Sequence, residues 1–183
     1  FHSLSAAKVK ERYSRESLKS AFRILGEGQL SLTKFLMITD QNHPLDDFKG
    51  LLKVILERFN PKTDLYIFSE LSMDTLDYTG PKLNKGSKGV LVGTGAPIRK
   101  LKEQFHGPLP KEIRKAVVFC PGCLVLEAKG NYIEDKQAIC QSPCFEGWPL
   151  LILVDEAEKT AKDARSFLWT VFTRFKDRKS TRL

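Results

Sequence analysis

Four cysteines and one loop carrying two acids are the residues of this 183-residue chain whose types and spacing suit chemistry. Cys120 and Cys123 bracket Pro121-Gly122, and Cys140 and Cys144 follow, giving Cys-x2-Cys-x16-Cys-x3-Cys. Two such pairs can aim four thiolates at one tetrahedral ion, as zinc ribbons do, although the second pair has one residue more than the usual knuckle. Four thiolates leave no open coordination position, so a zinc ion at Cys120, Cys123, Cys140 and Cys144 would be structural. The alternatives are four reduced, metal-free cysteines or a redox pair at Cys120 and Cys123. The second candidate is the segment Ser72 to Gly80, where Asp74 and Asp77 stand three apart. They could hold a cation or orient a helix N-terminus. A capped turn with two exposed acids accounts for them as well.

Other chemistries find little support. Gly93-Thr94-Gly95 lacks the third glycine and the helix of a dinucleotide fingerprint, and reads as a turn. There is no phosphate-binding glycine loop ending in Lys-Ser/Thr and no Gly-x-Ser-x-Gly elbow. His2, His43 and His106 are isolated from one another. The net charge of +8 raises the possibility of a nucleic-acid or membrane partner. However, the basic residues are dispersed along helical faces or gathered in the tail, without the interleaved aromatic platform of single-strand binders. A solvated basic face, or a surface for an acidic partner, is the better account, and no apolar run is long enough to span a bilayer. Nothing at the N-terminus looks like a signal peptide, and a cytoplasmic location is expected. The chain opens on Phe1 rather than Met and is read as a fragment of a longer polypeptide.

The elements that must position these residues show a repeated pattern. A strand ending in Asp40 leads to a helix ending in Arg58-Phe59, and a strand ending in Asp155 leads to a helix ending in Arg174-Phe175. Phe48, Leu51, Leu52, Ile55, Leu56 and Phe59 fall at i, i+3, i+4, i+7, i+8 and i+11, and Ala164, Phe167, Leu168, Val171, Phe172 and Phe175 share those offsets. Each set is one apolar stripe at the helical period. Asp46 or Asp47 is placed to cap the first stripe helix, and Asn60-Pro61 to stop it. The stretch up to Leu25 reads as helix, Ser31–Thr39 and Leu65–Ser69 as strands, and the order strand, helix, strand as a βαβ unit with a parallel pair. Thr39-Asp40 and Ser69–Asp77 would then converge at one carboxyl edge of the sheet, where ligands of such folds sit. Val117–Phe119 and Leu124–Leu126 flank the first cysteine pair as a hairpin. The expected fold is α/β: a mixed, largely parallel sheet with flanking helices, plus a small Cys-containing β-hairpin insertion. Residues 1–107 would form the main α/β domain and 108–148 the Cys-rich hairpin region. Residues 149–183 would be a second strand–Asp–helix unit packing on the same domain.

Ser-Leu-Thr-Lys-Phe-Leu-Met-Ile-Thr-Asp (31–40), Glu57-Arg58-Phe59-Asn60-Pro61, Asp74-Thr75-Leu76-Asp77-Tyr78 and Gly86-Ser87-Lys88-Gly89 together resemble the C-terminal domain of the UbiD family. The similarity extends over about residues 12 to 95. That family comprises carboxy-lyases of aromatic and α,β-unsaturated acids that use prenylated FMN. The chain departs from the family pattern at Gln41-Asn42-His43, where a further acid is common, and at Gly89–Thr94, where an Asp-Ala-Thr run is common. The resemblance implies that the Glu–Arg–Glu catalytic network lies in an upstream flavin-binding domain, as do the ligands of the divalent metal that holds the cofactor phosphate. No catalytic residue is therefore expected in this fragment, which alone would be inactive.

The resemblance further implies a lid and oligomerisation domain, in a homo-oligomer, that closes over the cofactor and supplies part of the substrate pocket. The pocket wall would be Ser31, Thr33, Met73, Thr75 and Leu76. A role in quinone biosynthesis rests on the same analogy. The alternative is a non-catalytic, zinc-ribbon-bearing module that binds a protein or RNA. In either case the first strand–Asp–helix copy is expected to be the functional one and the second to be structural.

Overall fold

The computed structural model describes residues 3–77, 79–129 and 137–174. Tyr78, Phe175 and the basic tail beyond it lie outside the described residues. Two sheets share the described residues. The first contains β1 (Leu4–Lys8), β2 (Phe35–Thr39), β3 (Leu65–Ser72) and β4 (Lys85–Gly93) in the order β1-β2-β4-β3. Its β1/β2 and β2/β4 pairs are parallel and its β3/β4 pair is antiparallel. The second contains β5 (Ile113–Cys120), β6 (Cys123–Ala128) and β7 (Leu150–Val154), with β5/β6 antiparallel and β6/β7 parallel. The helices are α1 (Glu16–Gly26), α2 (Phe48–Arg58), α3 (Ala157–Ala161) and α4 (Ala164–Arg174). The fold is therefore mixed α/β.

Side-chain alternation along the strands sorts the apolar residues into layers. On β2 and β4, Leu36, Ile38, Val90 and Val92 point to one face, where Ala21 of α1 covers them. Met37 points to the other, into a core built from the α2 stripe. The same core receives Val125 and Cys123 of β6, and Phe167 and Phe172 of α4. Phe167 stacks on Phe119 with centroids 3.9 Å apart and lies 5.7 Å from Phe48. The two stripes read from the sequence thus meet in one core, between the two sheets. Leu124 and Leu126 face away from it and pack with Ile139, Phe145 and Trp148. Asp47 is the cap of α2, its Oδ1 accepting from the Gly50 N–H at 3.1 Å.

Three elements differ from the sequence expectation. The N-terminal stretch begins with β1, because Leu4–Ala7 finds a parallel partner in β2, and the helix starts only at Glu16. A 3-10 turn (Gln29–Leu32) occupies the start of the expected first strand. Most consequentially, β3 does not pair with β2. The chain reverses after β3 and β4 inserts between them, so strand, helix, strand is not a parallel βαβ pair here. Gly93 allows α2 to lie against β4, since a Cβ there would stand 2.7 Å from the Ile55 Cα.

Candidate functional site

Because β3 runs against β4, its carboxyl end returns to the amino edge of β2. Ser72–Asp77 is therefore not at the edge that carries Thr39-Asp40, and the expected convergence of those two segments does not occur. The loop after β3 meets the start of β2 instead, where Lys34 contacts it from across the sheet edge. The Lys34 Nζ is 3.2 Å from Asp77 Oδ2, with side chains 4% and 2% exposed. Lys34 also donates to the Thr79 hydroxyl. Thr79 closes the cluster with its N–H on Asp77 Oδ1 at 2.9 Å. Burial alone would raise the Asp77 carboxyl, but the Thr79 hydroxyl and amide and the Lys34 charge outweigh it and hold the group below its usual range.

A second buried lysine fastens the same edge. Lys88, at the start of β4, donates to the backbone carbonyls of Ser31 and Thr33, the latter at 3.0 Å. Its burial pushes the ammonium below its ordinary value. Composition and period single out neither lysine, since a Lys between apolar residues carries no mark of burial. The only signal is the Thr-Lys and Ser-Lys pairs within the family-like segments.

The five expected pocket residues gather at this edge in two classes. Thr33 and Met73 are buried. The Thr33 hydroxyl is 2.8 Å from that of Ser5, and Met73 lies over Gly86, whose absent side chain leaves room for it. Ser31 is half-buried, its hydroxyl donating to the Gly28 carbonyl at 2.6 Å, while Thr75 and Leu76 are exposed. Asp74 and Asp77 are buried, not exposed as a simple capped turn would have them. Asp74 Oδ1 accepts from the Leu76 N–H at 2.9 Å, which shapes the turn that presents Thr75 and Leu76.

The four cysteines are not brought together. Cys120 and Cys123 lie in the inter-sheet core, whereas Cys144 packs on the far face of the second sheet and Cys140 is exposed. Residues of alternating faces on β6 separate the two pairs, so the expected four-thiolate zinc site is not assembled. Among the described residues no group of three or more His, Cys, Asp or Glu side chains could hold a metal ion. At the opposite edge, Asp40 accepts from the Gly95 N–H at 3.0 Å, and Arg58 donates to the Gly95 carbonyl at 2.9 Å. These contacts tie β2, α2 and the turn after β4 together, which is a structural use of the Asp40 and Gly93-Thr94-Gly95 motifs. Among the described residues no helix is long and apolar enough to cross a membrane.

A mixed α/β domain with this edge is matched by a known family. The model of the 3-octaprenyl-4-hydroxybenzoate carboxy-lyase C-terminal domain covers residues 1–93, and the chain belongs to that family. A Chlamydia pneumoniae protein described as one of the subunits of 4-hydroxybenzoate decarboxylase is 53% identical over 176 residues, which is 95% of this chain and 30% of that protein. An uncharacterised protein of Chlamydia trachomatis is 52% identical over 174 residues, with the same shares. The chain thus spans about 30% of the length of these curated relatives. Among solved structures, the closed form of the Sedimentibacter hydroxybenzoicus vanillic acid decarboxylase aligns with 76% of this chain and 26% of its own. That alignment has 15% identity and a TM-score of 0.46.

Proposed function

We propose that this chain is the pocket-closing C-terminal domain of a non-oxidative decarboxylase acting on aromatic or α,β-unsaturated acids. The observation that carries the proposal is the loop 73–79, which lies inside the family match and is pinned beside Ser31–Thr33 by buried charge. In this reading Ser31, Thr75 and Leu76 meet the substrate, while Thr33 and Met73 brace them from below. Leu76 covers the ring and excludes water, and the hydroxyls of Ser31 and Thr75 orient polar substituents.

The cofactor of such an enzyme would be prenylated FMN with a divalent metal, which supplies the electron sink for loss of carbon dioxide. The residues of this chain do not fit that group by themselves. Lys34 is engaged with Asp77 and Thr79, Lys88 with two carbonyls, and no metal-holding cluster exists among the described residues. In this reading an upstream flavin-binding domain provides the cradle. The regions 108–148 and 149–183 serve as support for the pocket-bearing part, residues 1–107. Assembly into a homo-oligomer, a cytoplasmic location and a place in quinone biosynthesis belong to the same proposal.

The test combines this domain with the separately expressed upstream region and prenylated FMN. Association and restored decarboxylation of 4-hydroxybenzoate or a related aromatic acid are expected. No binding between the two pieces would overturn the reading. Within the full-length enzyme, Leu76→Ala and Thr75→Val should raise KM for the substrate while leaving the cofactor spectrum unchanged.

A further inference from the structure

The turn Cys120-Pro121-Gly122-Cys123 has no part in the proposed pocket, yet it is closely constrained. Cys120 and Cys123 are register partners across the end of the β5/β6 pair. Proline presets the first central residue of the turn and Gly122 takes φ +79° at the second, the combination of a type II turn. The turn is held from both sides. Gly122 donates to the Lys102 carbonyl at 2.9 Å and accepts from the Leu150 N–H at 3.2 Å. A Cβ at Gly122 would stand 2.7 Å from Leu101 Cδ2, so the side chain of Leu101 rests directly on the turn. The neighbouring Cys120 thiol, together with burial, raises the Cys123 thiol well above its ordinary value.

Cross-strand partners at a hairpin end have Cα separations of about 4.5 to 5.5 Å, inside the range a disulfide spans. The two residues therefore stand at a backbone separation that a disulfide can span, in a turn held from both sides. We propose that Cys120 and Cys123 form a redox pair that closes to an intramolecular disulfide by exchange with low-molecular-weight disulfides. Cys120, the more accessible of the two at 5% exposure against 0%, is the attacking group and Cys123 the resolving one. The Cys120 thiolate attacks the small disulfide, releasing one small thiol and forming a mixed disulfide. The Cys123 thiolate then displaces the second small thiol. Two cysteine thiols lose two electrons and two protons, and the small disulfide takes up both to leave as two thiols. Burial keeps both sulfurs away from solvent in the closed fold and the Cys123 thiol protonated, so exchange proceeds through local opening of the turn.

The experiment equilibrates the full-length protein in glutathione buffers of graded ratio, quenches with acid, alkylates, and maps the cysteines by mass spectrometry. The peptide carrying Cys120 and Cys123 should lose two hydrogens. The midpoint in the folded protein should come at an oxidised-to-reduced ratio at least about tenfold lower than in guanidinium, because folding holds the thiols together. The C140S/C144S double variant should keep that midpoint. Glutathione adducts without closure, equal midpoints in folded and unfolded protein, or full alkylation of both thiols at every ratio would each overturn the proposal.

Discussion

Replacing Lys34 with Met removes the cation from a buried pair and leaves the Asp77 carboxylate behind. At a separation of 3.2 Å and an effective dielectric of about 20, the lost attraction is about 5 kcal/mol. Desolvating the two charges costs several kcal/mol per ion, so the pair contributes little net stability compared with an apolar substitute. The single variant differs, because it loses the attraction while the anion stays buried. Breaking such pairs costs about 3 to 5 kcal/mol, and the surviving Thr79 bonds place Lys34→Met near the lower end, about 3 kcal/mol. For a chain of this size that lowers Tm by about 6 to 12 °C.

The pH dependence gives an independent check. In the unsubstituted protein the folded pKa of Asp77 lies below the unfolded value of about 3.9. Its stabilising contribution is therefore complete above that value and is lost as pH falls through the folded pKa. Without Lys34 the carboxyl titrates higher, and protonation relieves the buried charge. The deficit of Lys34→Met should therefore shrink as pH drops from 7 toward 4. Urea titrations of both singles and of Lys34→Met/Asp77→Leu form a double-mutant cycle. The double variant should be less destabilised than either single. A deficit under about 1 kcal/mol for both singles, or a double variant equal to their sum, would refute the buried-pair account.

Gly93→Ala forces a Cβ to within 2.7 Å of the Ile55 backbone and should cost about 1 to 3 kcal/mol, read as a fall in Tm. Phe167→Ala empties the stacked centre between the sheets and should cost about 3 to 5 kcal/mol in chemical denaturation. Leu76→Ala, at an exposed site, should change stability by less than about 0.5 kcal/mol, so that any KM effect reads the pocket alone. Glu16, bonded by the Arg12 guanidinium and backbone N–H, should titrate at about 2 by carbon-detected NMR, and Arg12→Ala should return it toward its ordinary value.

Much of the fold was legible because the helical stripes and the β2 run are periodic signals that packing then honours. Asp47 capping α2 follows from local chemistry alone. The edge on which the loop 73–79 lies was not legible. Strand direction depends on whether β3 pairs with β2 or lets β4 intervene, and β3 carries no residue that distinguishes the two. The burial of Lys34, Lys88, Asp74 and Asp77 was hidden for a related reason. A charged residue is placed inside by the partner it meets, and for Lys34, Lys88 and Asp77 such a partner comes from a distant segment. The cysteine spacing suggested a shared metal because spacing says nothing about which face of a sheet each thiol takes.

The shared core between the sheets sets a limit on how this domain can be cut or recombined. The family signature stops at Gly93, but the surface that α2 presents is finished by Phe119, Phe167 and Phe172. A piece ending near residue 107 would carry the whole loop 73–79 and still expose Phe48, Leu51 and Leu52 to water. Such a piece would be expected to aggregate or to recruit a foreign apolar surface in place of its own. Residues well outside the family match thus complete the core of the part that carries it. Substitutions that enlarge a side chain on α2 must be answered by smaller ones on α4 or β5.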